Sequence, residues 1–338
     1  METFTHNSVF ELECGETLPS IELGYTLYGQ LNSDHSNVIW ICHALTANSD
    51  PAEWWPGLVG AGNLYDPSKH FIVCANMLGS CYGSTSPSSV EPGTETSYGE
   101  AFPIITIRDM VKALQLLKNH LGIQRISLAT GGSMGGQQVL EWAIMEPNLL
   151  ENICVIGTNA KHSPWGVAYN EAQRMALEAD ATLWNRGPDN GKAGLEAARA
   201  IAMLSYRNYE AYHRTQFDTD EKLANYKASS YQRYQGLKLS RRFDPWSYLL
   251  LSKAMDSHDV GRGRGGMESA LDCISARSLI FGIETDNLFP IREQIYLSKH
   301  IPRGILQVID SPFGHDGFLI ESDQITRYVG AFMKWEET

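Results

Sequence analysis

A glycine-rich turn contains the residue whose type and setting best suit nucleophilic chemistry. Residues 131–135 read GGSMG and fit the pattern G-x-S-x-G, which places a serine on a sharp turn between a strand and a helix. An apolar run precedes the turn and an amphipathic run follows it, so both elements are predicted. Small neighbours allow the tight backbone, and the N-terminus of the following helix favours developing negative charge. Ser133 is therefore the candidate nucleophile.

A serine hydroxyl needs a base to take its proton, and the pattern predicts the chain order serine, acid, histidine. His315, in the segment SPFGHDGFL, follows the last predicted strand. Asp286, in the segment GIETDNLFP, follows the strand before it. We favour Asp286 because the acid of such a site normally reaches the histidine from the loop of a different strand. The alternative acids are Glu284, Asp310 and Asp316.

Acyl transfer also needs hydrogen-bond donors for the negative oxygen of its tetrahedral intermediate. One donor is predicted to be the backbone N–H of Met134, directly after the serine. The second is assigned to the N–H of Leu45, with that of Ala44 as the alternative, because both follow a predicted strand. His43, in the same turn, is interpreted as a residue that stabilises the turn and not as a catalyst.

The elements that must position these residues alternate between short apolar strands and amphipathic helices. In residues 161–266 strand signals are absent and helical stretches dominate, and afterwards the alternation returns. The pattern predicts an α/β fold whose mostly parallel sheet is flanked by helices. The predicted domains are a core of residues 1–160 and 267–338 and a helical lid insertion of residues 161–266. Buried parallel strands are predicted at 38–45, 70–78 and 125–132, and further strands at 150–160, 276–283 and 305–310. Helices are predicted at 105–123, from the glycine turn to Pro147, at 292–302 and at 316–335.

The composition of the chain limits which binding partners and which cellular location we expect for the protein. The chain has 338 residues and a formal net charge of −12, which argues against nucleic acid or an anionic membrane surface as a partner. The first residues do not read as a signal peptide, and no apolar run reaches the length of a membrane span, so we expect a cytoplasmic location. The six cysteines form no C-x-x-C pair, and no cluster of His, Cys and Asp has ligand spacing. We therefore expect free thiols and no metal.

Several segments together resemble the homoserine O-acetyltransferase family of the α/β-hydrolase superfamily. The resemblance extends over nearly the whole chain and is far more specific than the glycine turn alone. It implies the α/β-hydrolase fold, with the helical insertion as a lid over the active site. The matching segments are CHALT (42–46), EWWPGLVGAG (53–62), FIVCANMLGSCYGSTSPSS (71–89), FPIITIRDMVKA (102–113), GGSMGGQQVLEWA (131–143), YNEAQRMAL (169–177), GLEAARAIAMLSYR (194–207), YLLLSKAMDSHDV (248–260), TDNLFP (285–290) and GHDGFL (314–319).

The resemblance also implies roles for individual residues. Arg199 matches an arginine that holds the carboxylate of the amino-acid substrate, and Asp316 matches the acid that binds its ammonium group. Tyr206 matches a tyrosine lining the same pocket, and it shares a helix face with Arg199, seven residues away. A guanidinium can bind a carboxylate through two parallel hydrogen bonds, which suits the implied role. The residues that match the catalytic triad are Ser133, Asp286 and His315.

The implied reaction moves an acetyl group from the co-substrate acetyl-CoA to the hydroxyl of L-homoserine, in methionine biosynthesis. It proceeds by a ping-pong route through an acyl-serine intermediate, needs only small-molecule substrates and has no permanently bound cofactor. The alternatives are a serine esterase or thioesterase, another donor such as succinyl-CoA, or another acceptor such as L-serine. A homodimer through the helical lid is also implied. Two departures from the family pattern, at residues 47–55 and 183–195, lie near the predicted mouth of the site and bear on donor and acceptor choice.

Overall fold

The computed structural model of the chain describes residues 1–185 and 190–334. Within these ranges the strands, in chain order, are β1 (Glu2–His6), β2 (Phe10–Glu11), β3 (Thr17–Leu18), β4 (Ile21–Tyr28), β5 (Val38–Cys42), β6 (Phe71–Ala75), β7 (Leu128–Gly132), β8 (Asn152–Ile156), β9 (Arg277–Ile283) and β10 (Gly304–Ile309). The α-helices are α1 (Pro51–Trp54), α2 (Ile107–His120), α3 (Met134–Met145), α4 (Pro164–Glu178), α5 (Lys192–Tyr206), α6 (Tyr209–Gln216), α7 (Lys227–Ser240), α8 (Pro245–Asp256), α9 (Met267–Asp272), α10 (Ile291–His300), α11 (Gly317–Ile320) and α12 (Ser322–Met333).

Eight of the strands form one sheet in the order β1-β4-β6-β5-β7-β8-β9-β10. β1 pairs antiparallel with β4, and β4 pairs antiparallel with β6, whereas all pairs from β6 to β10 are parallel. The carboxyl ends of the parallel strands therefore lie at one edge of the sheet, where the loops after β5, β7, β9 and β10 meet. This arrangement confirms the predicted α/β-hydrolase fold with a mostly parallel sheet.

Alternate residues of β5 point to opposite faces of the sheet, and each face has its own apolar core. On one face Val38 and Trp40 pack with α2 and α3, and the rings of Trp40 and Trp142 meet edge to face with centroids 4.9 Å apart. On the other face Ile39 and Ile41 belong to the core that α12 covers. Strands buried on both faces read as continuous apolar runs, which is why the central strands are predictable.

One prediction for the C-terminal region is wrong. Instead of one helix over residues 316–335, the chain forms a turn of 3₁₀-helix at Gly314–Asp316, then α11, and then α12. Glu321, with φ −87° and ψ 51°, breaks the path between the two helices. Phe318 of α11 reaches the ring of His315, while Val329 of α12 packs under the sheet. Hydrophobic periodicity does not reveal a break of one residue.

The helices α4 to α8 all lie between β8 and β9 in the chain. α4 and α5 pack together, as do α5 and α7, and α4 and α8. The described part of residues 161–266 contains no strand, in agreement with the helical character read from the sequence. The division of the chain into a core and a lid stays a prediction. Among residues 1–185 and 190–334, no helix combines the length and the apolar character needed to cross a bilayer.

Candidate active site

The turn between β7 and α3 presents Ser133 in a backbone conformation that side chains rarely adopt. Its φ is 57° and its ψ is −127°, and the side chain is 5 % exposed. Non-glycine residues at positive φ are uncommon, and such strain clusters at functional sites. Two hydrogen bonds hold the turn: the Ser133 N–H donates to the carbonyl of Ile156 at 2.9 Å, and Thr158 Oγ1 donates to the carbonyl of Ser133 at 2.9 Å.

The glycines around Ser133 are needed because neighbouring atoms leave no room for a side chain. A Cβ at Gly132 would lie 2.6 Å from the ring of Phe318. A Cβ at Gly131 would lie 2.6 Å from the backbone of Gly135, and one at Gly135 would collide with the carbonyl oxygen of Cys42. The turn therefore packs directly against the end of β5, which brings the serine beside the loop that follows this strand.

The structure brings His315 and Asp286 together from the loops after β10 and β9. His315 Nδ1 and Asp286 Oδ2 are 2.7 Å apart. A carboxylate only accepts hydrogen bonds, so Nδ1 donates and the other ring nitrogen, Nε2, is free to take a proton. Asp286 Oδ1 accepts from the N–H groups of Leu288 at 2.8 Å and Phe289 at 2.9 Å, which fixes the carboxylate. Among the alternative acids, Asp316 is paired with Arg207 instead.

The ring of His315 is buried between aromatic side chains. Phe289 stacks on it with centroids 5.1 Å apart, and Phe318 meets it edge-on at 5.3 Å. Burial by itself lowers the pKa of His315, but the charge and hydrogen bond of Asp286, together with the charge of Asp316, raise that pKa above its ordinary value. The histidine is therefore a stronger base than its burial alone would allow.

A second carboxyl, which the sequence did not single out, lies close to Asp286. Glu293 Oε2 accepts a hydrogen bond from Asn159 Nδ2 at 3.0 Å, and Asn159 Oδ1 accepts one from Gln137 of α3 at 3.1 Å. Burial is the main cause that raises the pKa of Glu293 to about 7, and the negative charge of Asp286 raises it further. The hydrogen bond from Asn159 acts in the opposite direction and lowers this pKa. In the sequence Glu293 reads as an ordinary polar residue in the first turn of α10, so no local signal could have found it.

Ser133 and His315 line the same cavity of about 490 Å³, which we call the Ser133 cavity. It is bordered on one side by the turn after β5, through Ala44 and Leu45, and on the other by residues of α5 and α7. Met134, which is predicted to supply one oxyanion donor while Leu45 supplies the other, is the first residue of α3. The N–H groups at a helix N-terminus face developing negative charge, which favours this assignment. The two oxyanion roles stay predictions.

His43 lies in this turn as a structural residue. Its Nδ1 donates to the carbonyl of Ala44 at 2.9 Å, and its Nε2 accepts from the N–H of Met77 at 3.1 Å. Burial lowers the pKa of His43 to about 4, so that the ring is neutral and both nitrogens are used. These bonds hold the turn that precedes Leu45, in agreement with the interpretation from the sequence.

The three residues predicted to hold the amino-acid substrate also line the Ser133 cavity. The Arg199 guanidinium carbon lies 5.0 Å from the centroid of the Tyr206 ring, so the two side chains share one face of α5 as predicted. Asp316 Oδ2 accepts a hydrogen bond from Arg207 Nε at 2.7 Å. Sequence reasoning missed Arg207, because its partner is more than a hundred residues away along the chain. Among the described residues, no three His, Cys, Asp or Glu side chains gather as metal ligands would.

The two departures from the family pattern differ in position. In the segment 47–55, Asn48, Glu53 and Trp54 line the Ser133 cavity. In the segment 183–195, Leu183 and Trp184 line a different cavity, and residues 186–189 lie outside the described residues. In the described part of the chain, it is therefore the first departure that borders the cavity of the serine.

Comparison with known proteins agrees with this geometry. The α/β-hydrolase fold family matches residues 37–322. The homoserine O-acetyltransferase of Cyclobacterium marinum is 50% identical over 331 residues, covering 98% of this chain and 94% of that protein. The solved homoserine O-acetyltransferase from Bacillus anthracis aligns with a TM-score of 0.91 at 23% identity, over 100% of this chain and 98% of its own. An acetylester hydrolase from Corynebacterium glutamicum aligns with a TM-score of 0.86 at 26% identity, over 98% and 95%. The fold and the close relative together establish that the chain belongs to the homoserine O-acetyltransferase family of α/β-hydrolase enzymes.

Proposed function

We propose that this enzyme transfers an acetyl group from acetyl-CoA to the hydroxyl of L-homoserine, a step of methionine biosynthesis. The observation that supports it best is one cavity lined by Ser133 and His315 and also by Arg199 and Asp316, whose charges suit an amino acid. A hydrolase needs the first pair of residues only. A transferase also needs to hold an acceptor with a carboxylate and an ammonium group, and the second pair has the complementary charges.

In the first half-reaction His315 takes the proton of the Ser133 hydroxyl, and the serine oxygen attacks the thioester carbonyl. Asp286 orients the imidazole and stabilises the cation that forms. The N–H groups of Met134 and Leu45 hold the oxyanion of the tetrahedral intermediate. The carbon–sulfur bond then breaks, and CoA leaves as a thiol with the proton from His315. The product of this half-reaction is acetyl-Ser133.

In the second half-reaction L-homoserine occupies the same cavity. Its carboxylate binds Arg199 and its ammonium binds Asp316, which uses only Oδ2 toward Arg207 and keeps further acceptor positions. His315 takes the proton of the substrate hydroxyl, whose oxygen attacks the acetyl carbonyl. The ester bond to Ser133 breaks, and His315 returns the proton to the serine oxygen. The acetyl ester of homoserine leaves and the enzyme is restored.

Replacing the nucleophile tests the acyl-serine route directly. Ser133→Ala is expected to lower kcat on the order of 10⁶-fold, into the background, because the attacking oxygen is gone. Wild-type protein mixed with acetyl-CoA alone should gain the mass of one acetyl group on the peptide that contains Ser133, and the variant should not. Ser230→Ala, at an exposed position of α7, is the control and should keep full activity. Near-normal turnover by Ser133→Ala would refute the assignment.

A serine esterase or thioesterase is the second candidate, because the acetylester hydrolase named above shares this fold. The same site residues would also serve a reaction with another acyl-CoA donor or with L-serine as the acceptor. CoA release from acetyl-CoA and from succinyl-CoA, each measured with and without L-homoserine, separates these cases. The transferase predicts release that depends strongly on L-homoserine. Release that ignores L-homoserine, or that responds to L-serine in its place, supports the corresponding alternative.

The proposal includes the setting in which the enzyme works. We propose that it acts in the cytoplasm on small molecules, without nucleic acid or membrane as a partner and without a metal or a permanently bound cofactor. We also propose a homodimer formed through the inserted helices α4 to α8. Exposed apolar side chains on these helices, such as Leu204 on α5 and Tyr209 on α6, support this surface.

A further inference from the structure

Two cations border the exposed side of the Ser133 cavity, and neither the catalytic residues nor the acceptor residues account for them. Lys238 lies in the last turn of α7, and Arg242 follows four residues later, just after the helix ends. Both side chains are exposed, and both line the same cavity as Ser133, which lies at its buried end. The inserted helices therefore place two positive charges where a substrate would enter.

Arg242 is held in place by the opposite wall of the cavity. Its Nη1 donates to the carbonyl of Thr46 at 2.7 Å, and the same nitrogen contacts the hydroxyl of Tyr82. Thr46 and Tyr82 also line the cavity. A guanidinium has five N–H donors in a rigid fork, and both contacts use one nitrogen. The side chain is thus oriented in advance, which lowers the entropic cost of binding an anion.

The charges lining the cavity favour an anion although the whole chain carries −12. Asp316 is offset by Arg207 at 2.7 Å, and Glu53, whose Oε2 accepts from Asn48 at 2.8 Å, is the other carboxylate on the described lining. Local positive charge in a cleft of an acidic protein attracts anionic ligands. The charged side chains on the described lining, apart from the catalytic histidine, are Arg199, Lys238, Arg242, Glu53 and Asp316.

We propose that Lys238 and Arg242 form the subsite that binds the phosphate groups of the acyl-CoA donor. This inference rests on the proposed function, which makes acyl-CoA a substrate. The thioester must reach buried Ser133, whereas phosphates are costly to bury without paired charges and so stay at the exposed end. Arginine binds phosphate through parallel hydrogen bonds, and lysine binds it as a point charge. The two cations therefore select donors that carry the phosphates of CoA.

The test compares a donor with phosphates and a donor without them. Lys238→Gln and Arg242→Gln should each raise the KM for acetyl-CoA by roughly 10-fold, as expected for the loss of a hydrogen bond to a charged group. Neither should change the KM for S-acetyl-N-acetylcysteamine, a short thioester without phosphates. Acetyl-dephospho-CoA, which keeps the diphosphate but lacks the ribose phosphate, shows which of the two groups each cation binds.

Two control variants distinguish the effect of losing a positive charge from the effect of a structural change. Arg233→Gln removes an exposed cation of the same helix that is not among the described residues lining the cavity, and it should leave both KM values unchanged. Arg242→Lys keeps the positive charge and should recover most of the affinity for acetyl-CoA. If Arg242→Gln raised the KM for both thioesters equally, the arginine would only hold the loop at Thr46, and its assignment to the phosphates would be overturned.

A binding measurement distinguishes failure of the subsite from failure of the proposed function. Calorimetry with CoA itself needs no turnover, so it applies even if wild-type protein shows no homoserine-dependent release. Weaker binding to the double variant Lys238→Gln/Arg242→Gln, with a smaller salt dependence than for wild-type protein, supports the subsite. Equal binding to both proteins at low salt overturns it, whatever the acceptor proves to be.

Discussion

The carboxyl of Glu293 is a second acid behind the pair of His315 and Asp286. It lies close enough to Asp286 for the two charges to interact, and its hydrogen bond from Asn159 connects it to α3 through Gln137. Burial and the charge of Asp286 raise the pKa of Glu293 to about 7. Below about pH 7 the folded protein therefore favours a protonated Glu293, which keeps a second negative charge away from Asp286.

This raised pKa makes the stability of the protein depend on pH. Between pH 4.5 and about 7 the folded state keeps a proton on Glu293 that the unfolded chain has lost. The contribution of this group to stability therefore falls as pH rises through that window. Glu293→Gln cannot ionise and keeps an oxygen for Asn159, so its Tm relative to wild type should increase by roughly 2 °C or more between pH 5 and pH 8. Thermal unfolding at both pH values measures the difference.

The control for this prediction is Glu210→Gln, which removes an exposed carboxylate from α6. Its Tm relative to wild type should change little over the same pH interval. A Tm difference for Glu293→Gln that stays constant from pH 5 to pH 8 would show that the carboxyl ionises alike in both states.

At the level of single residues, the sequence predicts those site residues that are recognised by their immediate neighbours or by their order along the chain. Ser133 is recognisable because its glycine neighbours are required by contacts within the turn and with β5. His315 and Asp286 follow from chain order. Arg207 and Glu293 are not predictable in this way, because their roles arise from partners on distant elements that the fold brings together.

Among the elements, a network of charges around one buried carboxylate joins the helix after Ser133 to the end of the helical insertion. Glu141 of α3 is almost fully buried and accepts hydrogen bonds from Arg108 Nε at 3.1 Å and Arg264 Nη1 at 3.0 Å. Arg108 Nη1 also donates to Glu13 at 2.8 Å, and Arg262 donates to the same carboxylate. The run GRGRGG at 261–266 contains Arg262 and Arg264, and Arg264 therefore anchors the returning chain on α3.

Removing the acid at the centre of this network should be costly. Glu141→Ala removes the shared partner of two partly exposed guanidinium groups. Breaking a fully buried pair typically destabilises a protein by roughly 3–5 kcal/mol, and we expect a loss at the lower end of this range. The midpoint of urea unfolding, followed by circular dichroism, measures the change. Arg108 and Arg264 have other contacts, with Glu13 and with backbone carbonyls, which keep the fold assembled in the variant.

An exposed ion pair on the same protein provides the comparison. Glu151 pairs with Arg125, and both side chains are about 40 % exposed. Exposed pairs contribute roughly 0–1 kcal/mol, so Glu151→Ala should shift the urea midpoint only slightly. Equal shifts for the two glutamate variants would mean that burial of Glu141 has no energetic importance.

Burial explains which strands the sequence reveals, except for the edge strand β10, which is only partly buried and was nevertheless predicted. Strands β5 to β9 lie inside the sheet with apolar residues on both faces, and their runs are visible in the sequence. β1 and β4, near the edge of the sheet, mix buried and exposed positions and were not predicted. The small hairpin of β2 and β3 was missed because two-residue strands contain too few positions for a pattern.

At the scale of the whole molecule, the Ser133 cavity draws on regions that are far apart in the sequence. The loops after β5, β7 and β10 supply one wall, and α5 and α7 of the insertion supply the other. Alternation of strands and helices indicates this architecture, but it does not indicate how the inserted helices lie over the sheet. Contacts such as that of Arg242 with Thr46 determine the opening, and they depend on the assembled fold.

The inserted helices also leave apolar side chains exposed, which bears on the proposed homodimer. Leu204 on α5 is 54 % exposed, and Leu223, between α6 and α7, is 99 % exposed. Large exposed apolar patches mark interaction sites in many proteins, and pairing two copies would remove this surface from water. If the inserted helices form the interface, a charge placed there must be desolvated on pairing.

We predict a wild-type dimer at micromolar concentration, and Leu204→Asp combined with Leu223→Asp should convert it to a monomer, as measured by sedimentation velocity. Val9→Asp introduces the same charge at an exposed apolar position outside the insertion and should leave the dimer intact. Because both leucines are exposed, the double variant should keep its fold by circular dichroism. A wild-type protein that sediments as a monomer, or a control that dissociates as readily as the double variant, would contradict pairing through the inserted helices.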